Sequence, residues 1–245
     1  MRDQLLDILK HTVSIGTFTH LRIVGTPTET FLFSRDVDKT IVFQAKMAQP
    51  IAGFDGDFGA SDIGLLNTIL GIPEYDEKCT IKVDIKTFDD GTTAPFLTIF
   101  KTQAGDFENS FKLVRKNHIA VTIPHDKLTL HPWPVNITPS SLAIDRLRFQ
   151  SSANPSEQFV TFSLNKGELR AKFGDGALTH TGGFVFDNTI DPAIKMQDVN
   201  IRITTLNSVF STVGDKKMSI GDMGTTIEVD SKVGVYYYTL VGLSK

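Results

Sequence analysis

The chain has 245 residues, of which 40% are hydrophobic and 22% charged, and its formal net charge is −3. That length carries one large domain or two ordinary ones, and the composition excludes an intrinsically disordered chain. A slightly acidic protein does not hold nucleic acid by bulk charge, so any such contact requires its basic residues to be sorted onto one face. No apolar run reaches the roughly 18 residues of a membrane span. Arg2, Asp3, Gln4, Asp7 and Lys10 make the N-terminus unlike a signal peptide. The single cysteine, Cys79, has no internal disulfide partner and reads as a core or sheet-face residue. A reducing, cytoplasmic-type compartment is expected.

In chain order, Arg2 to Ser14 reads as a helix with Leu5, Leu6, Leu9 and Val13 on its apolar stripe, and Gly16 follows its end. Strands are expected at Thr19 to Val24, Thr30 to Ser34 and Thr40 to Met47. Gly53 to Gly59 reads as a flexible glycine- and aspartate-rich turn. A second helix follows, capped by Ser61 or Asp62, with Ile63, Leu66, Ile69 and Leu70 buried and Pro73 as its stop. Strands are then expected at Cys79 to Phe88, Phe96 to Thr102 and Phe107 to Val114, with Asp89-Asp90-Gly91 turning between the first two.

Pro124 to Pro134 holds three prolines in eleven residues and reads as an interdomain connector. Beyond it the order repeats. Thr138-Pro139-Ser140-Ser141 opens a third helix with proline at its first helical position. Strands follow at Glu157 to Asn165, Glu168 to Phe173 and Gly183 to Asn188. A fourth helix is expected at Thr204 to Val213, then strands at Lys217 to Gly221, Thr225 to Asp230 and Val235 to Leu243. Leu66-Asn67-Thr68-Ile69-Leu70 overlays Leu206-Asn207-Ser208-Val209-Phe210 at an offset of 140 residues. The reading is α+β: two similar domains, 1–123 and 135–245, joined by a connector at 124–134, with β-sheets outside and four helices on one face.

Catalytic signatures are missing. No Gly-x-x-x-x-Gly-Lys-Ser/Thr loop and no Gly-x-Ser-x-Gly elbow occurs, and Cys79 has no evident activating base. His125 and His131 lack the cysteines or carboxylates that would complete a zinc site. Neither enzyme activity nor a cofactor or metal is expected.

Three stretches carry a resemblance: Asp62 to Ile72, His131-Pro132-Trp133-Pro134-Val135, and Asp215 to Ser219 continuing to Tyr236 through Val241. Their order and the chain length resemble the sliding clamp of T-even-type tailed phages, a relative of the proliferating cell nuclear antigen (PCNA). Extra residues are expected in the later strands of the first domain and around Gly174 to Asp191.

The resemblance implies a clamp that encircles duplex DNA without sequence preference, tethers a DNA polymerase, is served by a clamp loader and closes head to tail as a homotrimer. It would work in the cytoplasm of an infected host cell. Edge strands for closure would be Phe107 to Val114 and Gly174 to Asn188. DNA-facing residues would be Lys10, His11, Arg146, Arg148, Lys216 and Lys217, diluted by Asp3, Asp7 and Asp145. Partner peptides would dock on Leu128, Leu130, Trp133, Tyr238, Leu240 and Val241. The competing readings are a β-rich oligomeric phage tail or baseplate protein and a hydrolase with a dispersed site.

Overall fold

The computed structural model describes residues 1–119, 133–174 and 181–243. The chain divides into two compact units, each assembled from three pieces. The first takes Met1–Val37, Phe43–Leu128 and Asp230–Tyr236; the second takes Asp38–Val42, Thr129–Val229 and Tyr237–Lys245. The expected connector residues before Trp133, with Leu128 and Leu130, lie outside the described residues.

The first unit opens with α1 (Arg2–Thr12), whose buried residues are Leu5, Ile8, Leu9, His11 and Thr12. The stripe is rotated from the one expected: Leu6 and Val13 are half-exposed, while His11 and Thr12 turn inward. Both polar side chains can do so because each bonds a carbonyl one turn back. Thr12 donates to Ile8 at 2.8 Å, and His11 Nδ1 lies 2.8 Å from the Asp7 carbonyl. A 3₁₀ turn, Val13–Ile15, ends the helix on Gly16 at φ +80°.

Strands β1 (Leu21–Gly25), β2 (Thr30–Arg35), β3 (Ile41–Met47) and β4 (Gly56–Ala60) follow. The stretch expected to be a flexible turn is therefore partly strand, with β4 antiparallel to β1 and Leu21 opposite Ala60. Its glycines serve close packing rather than flexibility. A Cβ on Gly59 would stand 1.9 Å from Ile119 Cδ1 and 2.5 Å from the Leu21 carbonyl oxygen. Helix α2 (Ile63–Leu70) is capped by Asp62, whose carboxylate accepts from the Leu65 amide at 2.9 Å. Strands β5 (Thr80–Thr87), β6 (Thr93–Lys101) and β7 (Glu108–Lys112) form one antiparallel sheet with β6 central, and a bulge falls at Asp84/Ile85. With β8 (Val114–Arg115), the unit's other strands run in the order β8-β4-β1-β2-β3.

The second unit repeats the plan. After β9 (Val135–Ile137) comes α3 (Ser141–Ala153), capped by the Ser140 hydroxyl accepting from the Ala143 amide at 3.1 Å. Pro139 thus precedes the cap instead of holding the first helical position. Strands β10 (Phe159–Asn165), β11 (Glu168–Phe173), β12 (Gly182–Asp187) and β13 (Val199–Arg202) form a sheet in the order β12-β11-β10-β13. Helix α4 (Ile203–Ser211) and strands β14 (Asp215–Gly221), β15 (Gly224–Asp230) and β16 (Gly234–Val241) complete the fold, with β16-β15-β14-β9 side by side. At the offset of 140 residues, Leu66, Ile69 and Leu70 of α2 match Leu206, Val209 and Phe210 of α4, all six buried. Such burial is worth about 1.5–3 kcal/mol per large apolar side chain and explains why these positions repeat.

Among the described residues there are four α-helices, none long and apolar enough to cross a membrane, and no cluster of potential metal ligands.

Candidate functional site

The basic residues expected to face DNA separate into three groups. Lys10 on α1 and Arg146 on α3 are exposed and have no ion-pair partner among the described residues. Arg148 and Lys216 are half-buried and spent on the C-terminus of α4. The Arg148 guanidinium donates to the Phe210 carbonyl and the Ser211 hydroxyl, each at 3.2 Å, and lies 3.5 Å from Asp145. The Lys216 ammonium donates to the carbonyls of Thr212 at 2.7 Å and Gly214 at 3.0 Å. The Phe210 and Thr212 carbonyls lie in the last turn and cap of α4, at the negative end of the helix dipole, and Gly214 follows in the turn, so two cations gather there. Burial lowers the Lys216 pKa, the Arg148 charge lowers it further, and Asp215 opposes the shift.

The third group points elsewhere. His11 has no exposed surface and stacks flat on Tyr236 at 3.9 Å, so it is not available to DNA. Lys217 lies on the opposite face of β14 from Lys216, because successive strand side chains alternate. It pairs with Glu228 of β15 at 2.9 Å.

That opposite face carries an open groove of about 560 Å³ within the second unit, lined by Trp133, Asn136, Lys217, Ser219, Glu228 and Tyr237 among others. Its floor is tied together: Ser219 donates to Asn136 at 2.7 Å, and the Thr226 and Thr239 hydroxyls are 2.9 Å apart. Trp133 is seated on Gly221, where a Cβ would come within 3.1 Å of its ring. Of the apolar residues expected to receive a partner, Trp133 lines this groove and Val241 is exposed at the end of β16. Tyr238 and Leu240 are core residues, 0% and 2% exposed, and are corrected accordingly. The outward tyrosine is Tyr237. Three consecutive tyrosines in a strand cannot share a face, but the sequence does not say which parity faces out.

By sequence, no protein-family model matches the chain and no curated protein matches it. By structure the outcome is different. PCNA from Thermococcus kodakaraensis superposes with a TM-score of 0.68 at 10% identity, covering 99% of this chain and 97% of that one. PCNA from A. fulgidus, solved with the C-terminal region of FEN-1, gives 0.68 at 13% identity over 100% and 97% of the two chains. The chain has the sliding-clamp fold. The DNA polymerase sliding clamp from Pseudomonas aeruginosa, solved with a ligand, gives 0.63 at 14% identity, and this chain spans 63% of its length.

On the sliding-clamp fold of this chain, β7 ends the three-stranded sheet of the first unit and β12 ends the four-stranded sheet of the second. Helix α3 packs beside β12 and β11. One flank of α3 meets α4 through Arg148 and through Ser151, whose hydroxyl accepts from Asn207 at 2.9 Å. Gln150 turns toward β12, where a Cβ on Gly182 would stand 2.3 Å from its Oε1. Leu142 and Phe149, 58% and 71% exposed, occupy the helix side away from α4. A well-formed helix thus presents two large apolar side chains to solvent.

Proposed function

We propose that this chain is a sliding clamp: a subunit of a closed ring, a homotrimer, that encircles duplex DNA and holds a replicative DNA polymerase on its template without catalysis of its own. The observation that carries the reading is the match to clamps along essentially the whole of both chains. A ring threaded on DNA turns polymerase rebinding into an intramolecular event at high effective concentration. It needs no base contacts, only a weak attraction to phosphates. Lys10 and Arg146 suit that attraction.

Ring closure fits head-to-tail pairing of β7 on one subunit with β12 on the next, since open edges template strand addition. Leu142 and Phe149 beside β12 supply apolar area for the same contact. The proposed partner site is the groove around Trp133 and Tyr237, which has the size and mixed lining of a peptide-docking surface. The phage resemblance makes a tailed-phage polymerase and its clamp loader the partners, and the infected host cytoplasm the place of action.

The deciding experiment measures retention on circular DNA after loading. A clamp stays on the circle at salt that strips ordinary DNA-binding proteins, and leaves when the circle is cut. Images of the free protein should show rings with a duplex-sized hole. A protein that never survives the salt wash on closed circles, or forms no ring, is not a clamp.

A further inference from the structure

In the first unit, four strand residues and Phe88, just past the end of β5, alternate as cation, ring, cation, ring, cation. The Arg115 guanidinium lies 4.6 Å from the centre of the Phe88 ring, and the Lys86 ammonium is 5.8 Å from that ring and 5.3 Å from the Phe96 ring. Lys112 closes the row, 5.8 Å from Phe96. Arg115 comes from β8, Lys86 from β5, Phe96 from β6 and Lys112 from β7, so the row depends on the folded unit. A cation over a ring face is attracted by the ring's quadrupole. The arrangement therefore gives three long, flexible side chains a common apolar support.

The charges in this row are not equally committed. Arg115 is neutralised by Asp90, whose pKa is lowered to about 2 by the Thr92 hydroxyl and amide and then by Arg115. Nearby carboxylates are also taken: Asp84 pairs with Lys82, and Asp57 pairs with Arg22 and Lys116. Asp89 in the adjoining turn is exposed and has no cation partner among the described residues. Lys86 and Lys112 are exposed and have no carboxylate partner among the described residues. Both ammonium groups are held against the Phe96 ring, 5.3 and 5.8 Å from its centre, so two uncompensated positive charges share one small patch that an anion can join.

We propose that Lys86 and Lys112 form a phosphate-backbone site for DNA, separate from Lys10 and Arg146 on the helices. The free cations are lysines, point charges suited to phosphate, whereas the one fork-shaped guanidinium that would match a carboxylate is already occupied by Asp90. The two rings carry cations on their faces and so offer no platform for stacking bases. The site therefore reads charge without sequence.

The test is the salt dependence of binding by the intact chain to a short, fluorescently labelled duplex, too short to retain a ring and followed by anisotropy. K86A/K112A should flatten the plot of log affinity against log salt by about 1.8, the yield of two phosphate contacts on a duplex, and weaken binding at low salt. K86R/K112R, which keeps both charges over the ring, should restore the slope. An unchanged slope in the double alanine variant, with its far-UV spectrum and melting unaltered, overturns the proposal. So does displacement of the duplex by an acidic peptide at lower charge concentration than by unlabelled DNA, which would assign the row to an acidic protein. Ring formation and retention on circles are separate readouts, so the clamp reading stands or falls independently.

Discussion

The Tyr236 hydroxyl donates to the Asp7 carboxylate at 2.6 Å, joining residues 229 positions apart in the chain. The same carboxylate oxygen accepts from the Ser231 hydroxyl at 2.7 Å, and His11, one turn along α1, stacks on the Tyr236 ring. The C-terminal piece of the first unit is thus fastened to its first helix. Asp7→Ala removes the acceptor from a fully buried hydroxyl and should cost about 1–3 kcal/mol in chemical denaturation. Tyr236→Phe removes donor and desolvation cost together and should cost less, about 1 kcal/mol. Equal losses would mean that the hydrogen bond is not what matters at this junction.

Gly224 opens β15 at φ +145°, where a Cβ would lie 2.2 Å from the Leu240 carbonyl oxygen and 2.9 Å from the Gly242 amide. Gly224→Ala meets strain and a backbone clash together and should lower stability by about 1–3 kcal/mol. Thermal melts would report it, and Gly91→Ala provides a milder comparison, because nothing stands within 4 Å of a Cβ there.

His20 should make the protein acid-sensitive. Its pKa is lowered, first by burial and then by the Arg35 charge. Its Nε2 is buried without a hydrogen-bond partner among the described residues, so a second N–H would enter an unfavourable place. The unfolded chain takes up that proton first, near pH 6.5. Stability is therefore full above that value, falls as the pH drops toward the lower folded pKa, and levels off below it. Denaturation midpoints measured from pH 7.5 down to 5 should decline less steeply in His20→Asn.

Trp133 is the only tryptophan in the chain, so its fluorescence reports on the groove alone. Titration with a peptide from the cognate polymerase should shift the emission, and Tyr237→Ala should weaken binding at least about tenfold if the aromatic pair anchors the peptide. A saturable shift that survives Tyr237→Ala unaltered would move the docking site elsewhere.

Phe149 is 71% exposed, so Phe149→Ser should leave the unfolding of a single subunit within about 0.5 kcal/mol of the parent. Sedimentation should nevertheless show weaker ring assembly. A variant that assembles as well as the parent removes α3 from the subunit contact.

Much of the fold was legible because it rests on local pattern. The four helices and most strands follow from apolar periodicity, and the α2/α4 repeat was visible because both helices bury the same three positions. The strands β4, β9 and β13 were missed. The first is rich in glycine, whose usual meaning is flexibility, and the other two are three and four residues long, too short for alternation to register. The functional residues were harder. His11 and Lys10 are neighbours on one helix, and a rotation of the apolar stripe by one position decides which of them is buried.

What the sequence by itself determined is the class: an α+β protein built from a repeated plan, without the motifs of an enzyme. Those properties depend on residues within a few positions of one another. What only the tertiary structure decided is the direction of each functional side chain. Lys216 turns to the helix end and Lys217 to the groove, Tyr237 faces out and Tyr238 in, and Lys86 meets Lys112 across Phe96. Strand register and helix rotation are set by the packing of distant segments, and a single step in either reverses the face a residue presents.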